Sequence, residues 1–203
     1  MNSVKVKSIR DEIKDFNYNR VWVEKKIRIN AEERLNKGNF QTTILVNLYT
    51  FFMLCYSILG LKYTTSEVLS TVSVIISVGL FGVALYISLI GYREKALGFK
   101  LSHLELARIE TKMSILVLDE SKSDKELLEL FEKYRNEYTE VLEKTDNHIR
   151  RDYLKYRFTN GKATKSEKLQ YRLFYSFPSL VILFVLYSIP LAGLIIILLD
   201  VLG

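Results

Sequence analysis

The chain has 203 residues, 49% of them hydrophobic and 26% charged, and a net charge of +6. This length accommodates one or two domains with a sizeable core, and interleaved Asp and Glu argue against reading the basic balance as a nucleic-acid surface. A single cysteine, Cys55, excludes an intramolecular disulfide, and with only His103 and His148 for imidazoles the composition suggests no metal centre.

Residues 1–40 carry ten Lys or Arg. Ile9, Ile13, Phe16, Arg20, Val23 and Ile27 step by 4, 3, 4, 3, 4, with Tyr18, Trp22 and Ile29 as a second apolar line. The spacing predicts an amphipathic helix. The first apolar run starts behind this charged segment, so no cleaved secretory signal is expected.

Three stretches then hold no charge at all. They are 41–61 (QTTILVNLYTFFMLCYSILGL, 21 positions), 68–92 (VLSTVSVIISVGLFGVALYISLIGY, 25) and 173–199 (LFYSFPSLVILFVLYSIPLAGLIIILL, 27). As helices they would measure roughly 31, 37 and 40 Å, against a hydrocarbon core of ~30 Å. A soluble helix is rarely apolar all round over such lengths. The expectation is an integral membrane protein with about three transmembrane helices, at 41–61, 68–92 and within 173–203. The third stretch contains Pro178 and Pro190, so it reads either as one kinked span or as an interfacial turn and a shorter span. Two crossings would leave about 15 residues per leg, too few to span. A single span is the preferred reading.

Residues 93–118 read as a helix continuing out of the second span, since no Gly or Pro separates Tyr92 from Arg93. DESKSD (119–124) then turns the chain, with Asp124 placed to cap the next helix. From there Leu127, Phe131, Tyr134, Tyr138, Val141, Thr145, His148 and Asp152 step by 4, 3, 4, 3, 4, 3, 4. Glu129, Glu132, Lys133, Glu140, Glu143 and Lys144 lie opposite. This is a heptad seam of about four repeats, predicting one helix of roughly thirty residues. NGKATKSEK (160–168), in a linker over 159–172, ends it at Gly161. No strand pattern competes. The expected fold is all-α, with membrane helices fused to a helical bundle or coiled-coil-like hairpin.

Cations set the orientation. Residues 93–172 hold eighteen Lys or Arg, whereas the link KYTTSE holds one and the tail DVLG none. The positive-inside rule puts the N-terminus and residues 93–172 in the cytoplasm.

DNHIRRDY (146–153) is the one polar cluster that resembles a site. On a continuous helix, His148 and Asp152 are i and i+4 on the buried seam. They could be a metal or acid/base pair, or a polar layer fixing helix register as a buried Asn does in a coiled coil. The first reading needs more ligands than the chain offers, so the second is preferred. The sequence has no glycine-rich phosphate loop, HExxH or CxxC. We therefore expect no catalytic residues, no metal and no cofactor.

The layout as a whole resembles the SLATT domain, a two-transmembrane effector module of bacterial conflict and nucleotide-signalling systems. The resemblance covers about residues 9–158: an amphipathic N-terminal helix, two apolar spans joined by KYTTSE, and a cytoplasmic helical region. It extends to the seam EKYRNEYTEVLEKTDNHIRRDYLKY with its Asn147, His148, Asp152 and Tyr153. On this reading 1–158 is the SLATT-like domain and 173–203 an additional segment. The resemblance implies a pore-forming or membrane-disrupting effector of the bacterial inner membrane. A cytoplasmic partner or second messenger would trigger it and cause growth arrest or death.

The spans carry polar faces of their own. Ser70, Ser73, Ser77, Ala84, Ser88 and Gly91 share one face of the second span, and Thr43, Asn47, Thr50 and Ser57 one face of the first. Small and hydroxyl faces let helices pack closely and hydrogen-bond. They would serve packing within one chain, or line a polar path in a homo-oligomer. Asn47 is the best single candidate, because an amide facing lipid is costly. Two functional readings fit this layout: an oligomeric effector, and a membrane scaffold or sensor that recruits a soluble partner. A transporter subunit is disfavoured because no span contains an ionisable side chain for coupling.

Overall fold

A computed structural model describes residues 8–63 and 67–202, with side chains described outside 59–70, 72, 73, 193, 194 and 196–202. The elements are α1 (Ile9–Phe16), a π-helical turn (Asn17–Trp22), α2 (Val23–Tyr63), α3 (Glu67–Ile90), α4 (Tyr92–Leu118), α5 (Asp124–Glu143), α6 (Arg150–Thr159), α7 (Lys165–Tyr171), a second π-helical turn (Arg172–Ser176) and α8 (Phe177–Leu202). The fold is all-α, with no strand among the described residues. Three helical stretches are long and apolar enough to cross a membrane: Ile9–Ile58, Val74–Leu118 and Lys165–Ala192. The third apolar run is one helix with Pro190 inside it, and the chain does not double back there. Residues 165–171, read from the sequence as linker, are helical.

The chain divides into two compact units. One, the bundle unit, comprises residues up to Leu35 with Glu94–Ala163; the other, the apolar unit, comprises Asn36–Arg93 with 164–203.

The core of the bundle unit gathers Ile13 and Val21 from the N-terminal segment, Leu106, Ile109, Met113 and Leu116 from α4, and Leu127, Phe131 and Val141 from α5. Phe16 packs edge-on against Phe131 and Tyr138, with centroids 5.5 and 5.4 Å apart. The expected N-terminal seam needs one correction. The π turn inserts an extra residue, so Val21 is buried where Arg20 was expected, and Arg20 is exposed. Asn17 anchors the turn by donating to the Glu110 carbonyl and the Ser114 hydroxyl.

Helix ends account for the other differences. α3 stops at Gly91, which has φ +65°, and α4 begins one residue later, so the helix is interrupted just before the Tyr92–Arg93 junction. α5 is capped by Ser123, one residue before the expected Asp124. The Ser123 hydroxyl accepts from the Glu126 N–H, and the Glu126 carboxylate accepts from the Ser123 N–H at 2.8 Å. α6 ends as expected at Gly161, with φ +68°. The Lys162 N–H reaches the Arg157 carbonyl and the Gly161 N–H the Phe158 carbonyl, a Schellman closure.

The thirty-residue helix is the largest correction. α5 ends at Glu143, and residues 144–149 are irregular before α6 starts. His148 and Asp152 therefore do not share a helix turn. Thr145, Asp146 and Asn147 are short polar side chains that compete with helical hydrogen bonds. The Asp152 carboxylate then accepts from the Ile149 N–H at 3.2 Å and starts α6 afresh.

Candidate functional site

In the bundle unit, His148 and Asp152 each meet a partner on α2. Asp152, only 1% exposed, accepts two hydrogen bonds from Arg34, at 2.8 and 3.1 Å, in the bidentate geometry a guanidinium and a carboxylate favour. Asn30 donates to the Asp152 carbonyl at 3.2 Å, and Lys155 to Glu33 at 2.5 Å. The imidazole of His148 lies 3.5 Å from the Glu24 carboxylate. Glu24 in turn receives Arg28 at 2.9 Å.

Arg28 is the unexpected member. It is 1% exposed, donates to the Ser102 hydroxyl of α4 at 2.6 Å, and lies over the Phe99 ring. A buried guanidinium is tolerable only when paired and hydrogen-bonded, and Glu24 and Ser102 supply both. Glu24 and Arg34 thus form a charged rail on α2 on which the 144–149 segment and α6 are seated, with Arg28 bracing Glu24 and reaching across to α4. Tyr156, also buried, closes against Trp22 edge to face.

The ionisation of the pair follows from this setting. The hydrogen bond to Glu24 raises the pKa of His148, against the opposing effect of burial. Burial pushes Glu24 up, but the hydrogen bonds from His148 and Arg28 outweigh it and hold the carboxyl below its ordinary range. The second imidazole nitrogen of His148, Nδ1, is buried without a hydrogen-bond partner. Asn147 and Tyr153, read together with His148 and Asp152, are exposed. Among the described residues no three His, Cys, Asp or Glu side chains converge as metal ligands would.

The sequence reading missed Glu24, Arg28, Asn30, Arg34 and Ser102. One signal was available: Glu24 and Arg28 are an i, i+4 pair next to Ile27, on the side of the helix that faces the core.

In the apolar unit, α2, α3 and α8 surround a cavity lined by Leu45, Val46, Tyr49, Ile76, Leu80, Val83, Ile87 and Leu186. On α3 the cavity is lined by Ile76, Leu80, Val83 and Ile87, of which Leu80 and Ile87 are half-buried and Ile76 and Val83 exposed. The small and hydroxyl residues lie on the adjoining side: Ser77 and Ser88 are exposed and Ala84 is half-buried. The side chain of Ser73 falls outside the described residues. On α2, Asn47 is exposed. Thr50 is also exposed, but its hydroxyl donates to the Val46 carbonyl at 2.8 Å, within its own helix.

Two tyrosines that the sequence reading passed over tie α2 to α8. Tyr49 donates to the Leu186 carbonyl at 3.0 Å and Tyr56 to the Pro190 carbonyl at 2.6 Å.

A chain with no strand among its described residues, three such apolar helical stretches and a polar-stapled helical bundle is an all-α membrane protein. It belongs to SMODS and SLOG-associating 2TM effector domain family 5, whose sequence pattern matches residues 10–199. The match runs through most of α8, so it includes all three apolar stretches. No curated protein and no solved structure matches the chain.

Proposed function

We propose that this chain is the membrane effector of a bacterial conflict or antiphage signalling system. Several copies assemble in the inner membrane and, on activation by a cytoplasmic partner or second messenger, open a pore or disrupt the bilayer and arrest growth. The N-terminus and residues 93–172 face the cytoplasm, following the cation distribution. The chain binds no nucleic acid, uses no cofactor and catalyses no reaction.

Family membership supports the effector role, and Asn47 is the observation that carries the assembly. It lies inside the first apolar run, yet it is exposed in the single chain. An amide presented to hydrocarbon is costly, and contact with a second copy or with water in a shared path removes that cost. Ser77 and Ser88, exposed on α3, put small side chains on the outer side of the second span, where a close helix–helix contact can form.

The test is membrane potential. Overproduction of the intact chain in a bacterial host drives assembly by mass action. A potential-sensitive dye should report depolarisation together with growth arrest. Asn47→Leu and Ser77→Leu should leave the protein in the membrane and restore the potential. Unchanged potential and intact dye exclusion, with the wild-type chain present in the membrane, would instead favour a scaffold that recruits a soluble partner.

A further inference from the structure

α4 has two apolar faces. Ala96, Phe99, Leu106, Ile109, Met113 and Leu116 are buried in the bundle unit. On the opposite side Leu97, Leu101, Leu104, Ile115 and Leu118 are between 46% and 78% exposed. Arg108 and Thr111 complete their progression, which steps by 4, 3, 4, 3, 4, 3. The neighbouring helix α5 presents Glu129, Glu132, Lys133 and Glu140 to solvent, as a surface helix should. An outward-facing apolar stripe, interrupted only by Arg108 and Thr111, marks an interaction surface.

Its occupant follows from spacing and charge. The 4, 3 progression is the a and d pattern of a coiled-coil seam, with Leu101, Arg108 and Ile115 at a and Leu97, Leu104, Thr111 and Leu118 at d. A seam of this kind fits a second seam of the same kind, and every copy of the chain has one. Beside it, Lys100 occupies a g position and Glu105 the following e position. In a parallel pair, Lys100 of each copy meets Glu105 of the other, an attractive pair formed twice. Copies in one bilayer share their orientation, which is compatible with a two-fold axis running along α4. Thr111 suits a d position because its hydroxyl already donates to the Ala107 carbonyl at 3.0 Å. Arg108 borders a groove that holds Glu105 and Glu140 together with Lys112, Lys144 and the Lys112-paired Glu137, so its guanidinium can turn from the seam towards carboxylates there.

We propose that the outward stripe from Leu97 to Leu118 of α4 is the seam through which two copies of this chain pair in parallel. This rests on the assembly reading above but does not require that the assembly conduct ions.

Cysteine cross-linking of the full-length chain in native membranes tests it. In a Cys55→Ala background, Leu101→Cys and Leu104→Cys are each oxidised with copper phenanthroline, with Glu132→Cys on the solvated side of α5 as control. All three positions are exposed, so the fold should tolerate the changes. Positions 101 and 104 should give at least about tenfold more disulfide-linked dimer than position 132, because only a and d residues approach within disulfide reach. Adding Lys100→Glu to Leu104→Cys should lower the yield several-fold, and the further change Glu105→Lys should restore it. Yields at 101 and 104 no higher than at 132, from protein that is in the membrane, would overturn the proposal. So would linkage of position 101 to a cysteine at 115 but not to its own counterpart, which indicates antiparallel pairing. Potential and growth are not read in this experiment, so failure of the pore reading leaves its result intact.

Discussion

The Tyr49 hydroxyl donates to the carbonyl of Leu186, the group that Pro190, four residues further along α8, leaves without its helical partner. An α8 crossing lipid has no water with which to satisfy that carbonyl, so a side chain from α2 supplies the donor. Tyr56, seven residues on, donates to the carbonyl of Pro190 itself. The two tyrosines and the proline therefore work as one joint between the first and third apolar runs.

Tyr49→Phe should destabilise the apolar unit by about 1 to 2 kcal/mol, the usual effect of orphaning a buried carbonyl. Pro190→Ala returns an N–H to Leu186, so in that background the same change should cost less. Unfolding in mixed micelles across the double-mutant cycle should give a coupling of roughly 0.6 to 1.7 kcal/mol. Strictly additive effects would mean that the hydroxyl does not serve this carbonyl.

Asp152→Ala should be the most damaging change in the DNHIRRDY cluster. It removes the start of α6 and leaves Arg34 without its carboxylate. Breaking a buried pair costs about 3 to 5 kcal/mol, and the partial exposure of Arg34 puts this one at the low end. Tyr153→Ala, at an exposed neighbour, should stay within about 1 kcal/mol. Thermal unfolding of the two purified variants in detergent separates them.

The Glu24–His148 contact should make stability depend on pH. The folded chain holds the proton on His148 more tightly than the unfolded chain, so this stabilisation is complete below about pH 6.5. It is lost as pH rises through the raised value in the folded state. Glu24 behaves in the opposite sense. Its depressed pKa contributes above the ordinary carboxyl range, and that contribution is lost as pH falls through the lowered value. Melting temperature should therefore be greatest in mildly acidic solution and decline towards alkaline pH. His148→Gln should flatten the alkaline side of the profile, and an unchanged profile would remove the contact from the account.

The features legible in the sequence were those carried by periodicity. Uncharged runs marked the three apolar helices, and the seam of Leu127, Phe131, Tyr134, Tyr138 and Val141 marked the inner face of α5. Past Val141 the same arithmetic continued through Thr145, His148 and Asp152 although the helix did not. Spacing alone cannot register the competition of Thr145, Asp146 and Asn147 for backbone hydrogen bonds. The rail on α2 and its brace were hidden because their partners are about 75 to 120 residues away: Arg28 finds Ser102, and Arg34 finds Asp152. Arg10 is a similar case. It donates to the carbonyls of Val117 and Asp119, closing the end of α4 from across the bundle, and no local pattern announces that contact.

Three crossings, with residues 93–172 on the cytoplasmic side, put the two termini on opposite faces of the membrane. Accessibility of introduced cysteines in intact cells measures this directly. With Cys55→Ala as background, a membrane-impermeant maleimide should label a cysteine appended after Gly203. It should reach Glu129→Cys in α5 only after lysis. Labelling of Glu129→Cys from outside, or protection of the appended cysteine until lysis, would contradict the three-span arrangement.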